Sequence, residues 1–172
     1  MSLKIVIING YPRSGKDTFV EICEEVTSKN ITCILISSVD HVKEAAKILG
    51  WDGKKDAKGR LFLSHLKDVS SREYDGPMKY MWNKLSKAVF MNTNVVAFMA
   101  IREPEEIENF KIDFPDTKAI IVKRDCVKGE QSCHSDANVE KAKYDYVIDN
   151  NGSIEDLNDI AKQFIEDILN EQ

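Results

Sequence analysis

The sequence predicts an α/β fold in which a parallel sheet is covered by helices on both faces. Two observations support this prediction. Short apolar runs alternate with amphipathic helical patterns along the chain, and the first run is rich in Ile and Val, as in strands buried on both faces. Strands that alternate with helices pair in parallel through right-handed crossovers. Five runs are predicted to be strands: Leu3–Asn9, Ile31–Ser37, Asn94–Ala100, Lys118–Lys123 and Tyr144–Asp149.

Helical patterns separate the predicted strands. Apolar residues recur at spacings of three and four after the first and second strands, before the third and after the fifth. Ser153 and Asp156 resemble a capping box at the start of the last helix. Two stretches interrupt the alternation: residues 50–77, which are polar and partly helical, and residues 124–143. Both look like insertions into the α/β pattern.

Length and composition narrow the class of protein. A chain of 172 residues has room for one ordinary domain, and its 42% hydrophobic and 31% charged residues are typical of a globular protein. The formal net charge of -5 argues against a nucleic-acid partner, which usually requires concentrated Lys and Arg. No apolar run approaches the length of a membrane span and no signal-peptide pattern is present, so we predict a cytoplasmic location without a membrane partner. The four cysteines are too scattered for a disulfide scaffold.

The segment Gly10–Thr18, which reads GYPRSGKDT, carries the clearest motif. It places the Walker A spacing Gly-x-x-x-x-Gly-Lys directly after a strand and directly before a helix. Gly10 and Gly15 permit a tight loop whose amide groups turn inward around phosphate oxygens, and Lys16 can reach the β and γ oxygens. We therefore predict that ATP binds here, with Ser14 among the loop residues that hold it.

One position of the loop departs from the usual motif. Asp17 follows Lys16, where Ser or Thr normally supplies a magnesium ligand. Two roles are open: Asp17 holds Mg²⁺ directly or through water, or Thr18 acts on the phosphates while Asp17 shapes the acceptor side. We favour the metal role. The structural alternative is a carboxylate in the first helical turn, stabilised by the helix dipole by about 0.3–1 kcal/mol.

The loop residues Ser14–Thr18 resemble those of phage-type deoxynucleoside monophosphate kinases and, less closely, those of animal-type phosphomevalonate kinases; adenylate kinases are more distant. The resemblance continues at Val42–Ala46 (VKEAA), Ile101–Ile107 (IREPEEI) and Tyr146–Ser153 (YVIDNNGS). The last segment is also similar to dephospho-CoA kinase. Only the phosphate loop is specific, because the other segments are short and shared by several kinase families.

This resemblance implies a three-layer P-loop NTP hydrolase fold in a single domain covering residues 1–172. It implies a five-stranded parallel sheet in the order 2-3-1-4-5. It also implies that residues 50–77 form an acceptor-binding insertion and that residues 124–143 form a lid over ATP. A closed lid would keep water away from the γ-phosphate. Otherwise water would take the phosphoryl group in place of the substrate.

The end of the third strand differs from the related kinases. Where they commonly have Asp-x-Arg, this chain has Ala100, Ile101 and Arg102. The change removes a carboxylate on the metal side unless Asp17 or Asp40 replaces it. Arg102 remains in position to clamp the acceptor or the transferred phosphate.

Further candidates flank the loop. Arg13 within the loop and Arg124 at the start of the lid are predicted to act with Lys16 and Arg102 as the catalytic cations, because the planar guanidinium group suits phosphate oxygens. Asn150 follows the fifth strand, where this class often packs adenine, although a plain turn explains it nearly as well. Asp40, Lys43 and Arg60 follow the second strand and are predicted to bind the acceptor, although Asp40 could simply cap the next helix. Zinc binding is disfavoured by the ligand spacing of Cys126, Cys133, His134 and Asp136.

These observations predict an ATP- and Mg²⁺-dependent kinase that phosphorylates a small acceptor, a (deoxy)nucleoside monophosphate. Alternatives are a kinase for a non-nucleotide phosphate, such as phosphomevalonate or a coenzyme precursor, and a non-catalytic nucleotide-binding sensor. The sensor alternative rests on Ala100 standing where the related kinases have Asp. The expected partner is the small phosphorylated acceptor alone, with the protein a monomer or homodimer.

Overall fold

Parallel strands form one sheet in the computed structural model, which describes residues 2–92, 94–127 and 138–170. The sheet has five strands in the order β2-β3-β1-β4-β5, and every pairing is parallel. The strands are β1 (Ser2–Asn9), β2 (Thr32–Ser37), β3 (Asn94–Ala100), β4 (Lys118–Lys123) and β5 (Tyr146–Asp149). The predicted fold class and strand order are confirmed.

Helices cover both faces of this sheet. They are α1 (Lys16–Val26), α2 (Asp40–Ile48), α3 (Ala57–Tyr74), α4 (Gly76–Met91), α5 (Pro104–Asp113) and α6 (Ile154–Asn170). A single turn of 3₁₀ helix, Asp125–Val127, follows β4. Among the described residues, the helices do not combine the length and apolar character that crossing a bilayer requires.

Side-chain alternation along β1 divides the core into two clusters. Val6 and Ile8 point to the face covered by α1 and α6, where they pack with Phe19, and Ile7 points to the face covered by α4 and α5, where it packs with Met81. All five side chains are fully buried. A strand buried on both faces must be apolar at successive positions, which explains the uniform run in the sequence.

The helices match the sequence less closely than the strands. Residues 50–77 are partly helical as predicted, with one continuous helix over residues 57–74, whereas α5 was not predicted from periodicity. Pro104 begins α5, which suits the fixed φ of proline. The predicted capping box of α6 is confirmed, because the Ser153 backbone N–H donates to Asp156 at 2.8 Å and the Asp156 N–H donates to the Ser153 hydroxyl at 3.2 Å.

Candidate active site

The loop between β1 and α1 turns sharply at two glycines. Gly10 has a φ of +144° and Gly15 a φ of +94°, and Gly15 is the left-handed residue that precedes the first turn of α1. A Cβ at Gly10 would lie 2.5 Å from the Val122 carbonyl oxygen, and a Cβ at Gly15 would lie 2.2 Å from the amide nitrogen of Asn150. Both positions therefore require glycine for backbone conformation and for space.

Asn9 fixes the start of the loop. This side chain is fully buried at the end of β1, and its Oδ1 accepts a hydrogen bond of 2.8 Å from the Gly10 N–H. Its Nδ2 donates to the Tyr144 hydroxyl at 2.8 Å and to the Arg102 carbonyl at 3.2 Å. One amide side chain thus joins the loop to the segment after β3 and to the segment before β5. Sequence reasoning missed Asn9, because nothing local marks it.

Asn150 braces the other end of the loop. Its Nδ2 donates to the Ser14 carbonyl at 2.8 Å, and its backbone N–H donates to the Lys123 carbonyl at 2.9 Å. Ser14 itself is buried. Asn150 was predicted to lie near adenine, and the structure gives it a contact with the phosphate loop; its contact with a nucleotide stays a prediction.

Lys16 lies across the loop at the first position of α1. Its ammonium group donates to the Gly10 carbonyl at 2.7 Å and to the Tyr11 carbonyl at 2.9 Å. An ammonium group held at the loop carbonyls can turn its donors to phosphate oxygens with little movement, because its stem is flexible. This position agrees with the predicted contact with the β and γ phosphates.

A cavity of about 470 Å³ opens beside the loop, beyond the carboxyl ends of β1, β2 and β3. In open α/β sheets, ligands bind at this edge. Seven residues predicted for the site line the cavity together: Arg13, Lys16, Asp17, Asp40, Lys43, Arg60 and Arg102. Ala100 lines it as well, so the end of β3 contributes no carboxylate to this lining.

The cavity is strongly cationic. Its lining holds seven cationic side chains against two carboxylates, although the whole chain has a formal charge of -5. Lys55 and Lys67 complete the cationic set, and sequence reasoning missed both. A concave surface lined mainly by one sign of charge attracts ligands of the opposite sign. The cavity is therefore suited to phosphorylated small molecules.

Ion pairs hold part of this charge in place. The Lys43 ammonium lies 2.7 Å from the Asp40 carboxylate, and the Lys67 ammonium lies 3.7 Å from Glu106 on α5. Burial raises the pKa of Glu106, and the neighbouring Lys67 opposes that rise. Asp40 does not cap α2, because Val39 occupies the cap position and Asp40 lies within the first turn.

Several predicted residues lie away from the cavity lining. Thr18 is exposed on α1, and Arg124 is exposed immediately after β4. Half of the predicted lid, residues 128–137, lies outside the described residues, and this half contains Cys133, His134 and Asp136. The lid, the role of Arg124 and the metal-binding capacity of this segment stay predictions.

Asp17 fits a magnesium site that depends on substrate phosphates. Within the described ranges, no group of three or more His, Cys, Asp or Glu side chains could hold a metal ion. Magnesium in phosphoryl-transfer sites usually takes one or two protein carboxylates and completes its coordination with water and substrate phosphate. Asp17 adjoins Lys16 and faces the cavity, whereas Asp40 is already paired with Lys43. Asp17 is thus the better of the two available ligands.

Comparison with solved structures finds proteins of similar fold. The sequence matches no protein-family model and no curated protein. A putative kinase from Chloroflexus aurantiacus is 12% identical with a TM-score of 0.54, covering 98% of this chain and 96% of that one. The APS kinase CysC of Mycobacterium tuberculosis, in complex with AMPPNP and APS, is 14% identical with a TM-score of 0.50, covering 99% of each chain. This similarity shows that the chain shares the P-loop kinase fold.

Proposed function

We propose that this protein is an ATP-dependent small-molecule kinase that transfers the γ-phosphoryl group to a (deoxy)nucleoside monophosphate. One observation carries the proposal: the phosphate-loop residues Arg13 and Lys16 line the same cationic cavity as Arg60 and Arg102. A phosphate donor on the loop and an anionic acceptor in the cavity would therefore meet. The shared fold of P-loop kinases supports the same conclusion.

The proposed reaction needs no general base. An ionised phosphate oxygen of the acceptor attacks the γ-phosphorus in line with the oxygen that joins the β and γ phosphates. The new P–O bond forms as the bond to that bridging oxygen breaks, and the electron pair leaves with ADP. Positioning and charge stabilisation are then the main tasks of the protein.

The cationic residues supply that stabilisation. Lys16 neutralises charge on the β and γ oxygens, and the loop amides hold the β-phosphate. Arg13 and Arg102 orient the transferring group and the acceptor phosphate, and we assign Arg124 to the same task on the lid side. Bound Mg²⁺ supplies further neutralisation of the phosphate oxygens. Asp17 is the residue that we assign to hold it.

The test is an ADP-release assay with ATP and Mg²⁺ against a panel of ribo- and deoxyribonucleoside monophosphates. We expect one or more acceptors to stimulate ADP release, and Lys16→Met to lower the turnover number by about 10²–10³-fold, as when one charge-stabilising donor is lost from an active site. Lys58→Met is the matched control, because Lys58 is exposed on α3 and does not line the cavity. Full activity of the Lys16→Met protein would refute the mechanism. Tight ATP binding without stimulated turnover would favour the sensor alternative.

The lining of the cavity favours a second candidate acceptor. Among the described residues, its apolar members are aliphatic or proline and include Leu35, Val39 and Leu63, with no aromatic side chain on which a base could stack. A non-nucleotide phosphate, such as phosphomevalonate, fits an aliphatic and cationic lining. Turnover with phosphomevalonate but with no nucleoside monophosphate in the same assay would select this acceptor.

A further inference from the structure

One face of α3 forms a wall of the cavity. Arg60, Leu63, Ser64 and Lys67 line it, and their spacing of three, four and seven residues places them on the same side of the helix. The cations stand at the two ends of this row. Seven residues of α-helix span about 10 Å, so the Cα atoms of Arg60 and Lys67 are about that far apart along the axis.

Contacts with the rest of the protein hold these two cations apart. The Arg60 Nε donates a hydrogen bond of 2.7 Å to the Lys55 carbonyl, which precedes α3. The Lys67 ammonium instead lies 3.7 Å from Glu106 on α5, the helix that begins just after Arg102. Lys67 therefore belongs to the inner end of the cavity, beside the end of β3, and Arg60 with Lys55 belongs to the outer end. Because the two cations have different partners and their Cα atoms are about 10 Å apart, we assign the two ends to separate anionic groups.

Lys67, the inner cation, has one ion-pair partner within the described residues. The Lys67 side chain is 13% exposed, and within the described part of the chain Glu106 is its one charged partner. A separation of 3.7 Å is longer than a hydrogen bond. A mostly buried lysine that lines the cavity, with one carboxylate at 3.7 Å, can bind an anion on the cavity side. Together with Arg102, this is the expected position of the acceptor phosphate that attacks ATP.

The outer cations then need a different anion. Lys55 and Arg60 line the cavity, and within the described ranges neither pairs with a carboxylate in the way that Lys43 pairs with Asp40. Between the two ends, α3 presents one leucine and one serine, Leu63 and Ser64, which suit a short linker that is partly aliphatic and partly hydroxylated. This face of α3 therefore has a cationic residue at each end, with one apolar and one hydroxyl side chain between them.

We infer that the acceptor carries two separate anionic groups: the attacking phosphate at the Lys67–Arg102 end, and a second carboxylate or phosphate at the Lys55–Arg60 end. This inference rests on the proposed phosphoryl transfer at the same site, and it favours a doubly anionic acceptor over a simple nucleoside monophosphate. It assigns Lys55 and Arg60 to specificity and Lys67 to the reacting end. A singly anionic acceptor leaves the outer subsite empty.

The test measures dissociation constants by calorimetry, with AMPPNP and Mg²⁺ saturating the phosphate loop. Two matched pairs of probes differ by one anionic group: glycerol 3-phosphate against 3-phosphoglycerate, which adds a carboxylate, and AMP against adenosine 3′,5′-bisphosphate, which adds a phosphate. We expect the doubly anionic member of at least one pair to bind about tenfold more tightly, as for one added charge-assisted hydrogen-bonded contact. The pair that shows the preference identifies the second anion.

Variants assign the preference to the outer subsite. Arg60→Gln and, separately, Lys55→Gln should lower the affinity of the doubly anionic member more than that of the singly anionic member, so that the preference is lost. Lys67→Gln should weaken the binding of both members of a pair. Lys58 is an exposed neighbour on α3, and Lys58→Gln should change the affinity of neither member. Lys55 lies outside α3, so its substitution leaves the helix intact.

Equal affinities within both pairs, no binding of any doubly anionic probe, or equal losses for both members in Arg60→Gln would overturn the inference. ADP release measured with the same probes separates it from the proposed function. A preference that depends on Arg60 without any stimulated turnover would keep the subsite and reject the kinase. Stimulated turnover together with equal affinities within both pairs would keep the kinase and reject the subsite.

Discussion

The phosphate loop and the α3 wall bind phosphates by different physical means. The loop is set by backbone conformation and by buried amide side chains, with Asn9 and Asn150 hydrogen-bonded to it from two sides. The α3 wall presents long cationic side chains that are held by a few partly exposed ion pairs and carbonyl contacts. Substitutions in the loop should therefore damage folding and binding together, whereas substitutions in the wall should change binding with little loss of stability.

The largest effect on stability is expected at Asn9. Asn9→Ala removes three hydrogen bonds and leaves the Gly10 N–H and the Arg102 carbonyl without this partner in a buried region. Each lost bond costs about 1 kcal/mol, and stranded buried groups cost more, so the free energy of unfolding should fall by about 3 kcal/mol. Urea unfolding measures the change. Asn158→Ala is the control, because Asn158 is exposed and donates one hydrogen bond within α6. A loss no larger than that of the control would show that Asn9 does not fix the loop.

Gly15 is expected to give the next largest effect. Gly15→Ala forces a side chain into a left-handed conformation and brings its Cβ to within 2.2 Å of the Asn150 amide. We expect a loss of about 2 kcal/mol, together with loss of ATP binding as the loop amides shift. Thermal unfolding and nucleotide titration measure the two effects.

Gly53 provides the matched control for this substitution. Its φ is +87°, close to that of Gly15, but a Cβ there would meet no atom within 4 Å. Gly53→Ala therefore isolates the conformational cost, and the excess loss in Gly15→Ala reports the contact with Asn150. Equal losses in the two variants would mean that Asn150 can move away freely and does not brace the loop.

The cavity lining on α2 should respond like the α3 wall, and so in the opposite way to the loop. Lys43→Gln breaks the ion pair with Asp40, in which the two side chains are 31% and 38% exposed. The free energy of unfolding should therefore change by less than about 0.5 kcal/mol. Because Lys43 lines the cavity, the KM of the acceptor should still rise several-fold. Thermal unfolding and steady-state kinetics on the same preparations test both halves. A large loss of stability with an unchanged KM would reverse the contrast between wall and loop.

The same contrast explains how much the sequence could predict. The strands and the loop carry local signals, namely uniform apolar runs and a fixed glycine spacing, and both were predicted with nearly the observed bounds. The bracing of Ser14 by Asn150 joins residues 136 positions apart, and no local pattern marks it. Likewise, Lys67 reaches the cavity through the packing of α3 against α2 and α4, which no local pattern marks. Its partner Glu106 lies on α5, which has few apolar residues to show its periodicity, chiefly Ile107 and Phe110.

The smallest expected effect concerns His41, which joins the wall to the core. Its Nε2 lies 3.1 Å from the Ser70 hydroxyl on α3, and its ring lies 5.5 Å from that of Tyr80 on α4. Burial lowers the pKa of His41 below its ordinary value, although Glu44 and Asp40 act in the opposite direction. The unfolded chain therefore binds this proton more readily than the folded protein does.

The sign of the pH dependence follows from that difference. As the pH falls from about 6.5, the ordinary histidine value, through the lower folded-state pKa, the free energy of unfolding should fall as well. His41→Gln should flatten this part of the profile measured by urea unfolding between pH 7.5 and 5.5. His65→Gln is the control, because His65 is an exposed histidine of the same wall helix. Identical slopes in His41→Gln and the unmodified protein would show that protonation of His41 is not coupled to folding, and that the wall is joined to the core by packing alone.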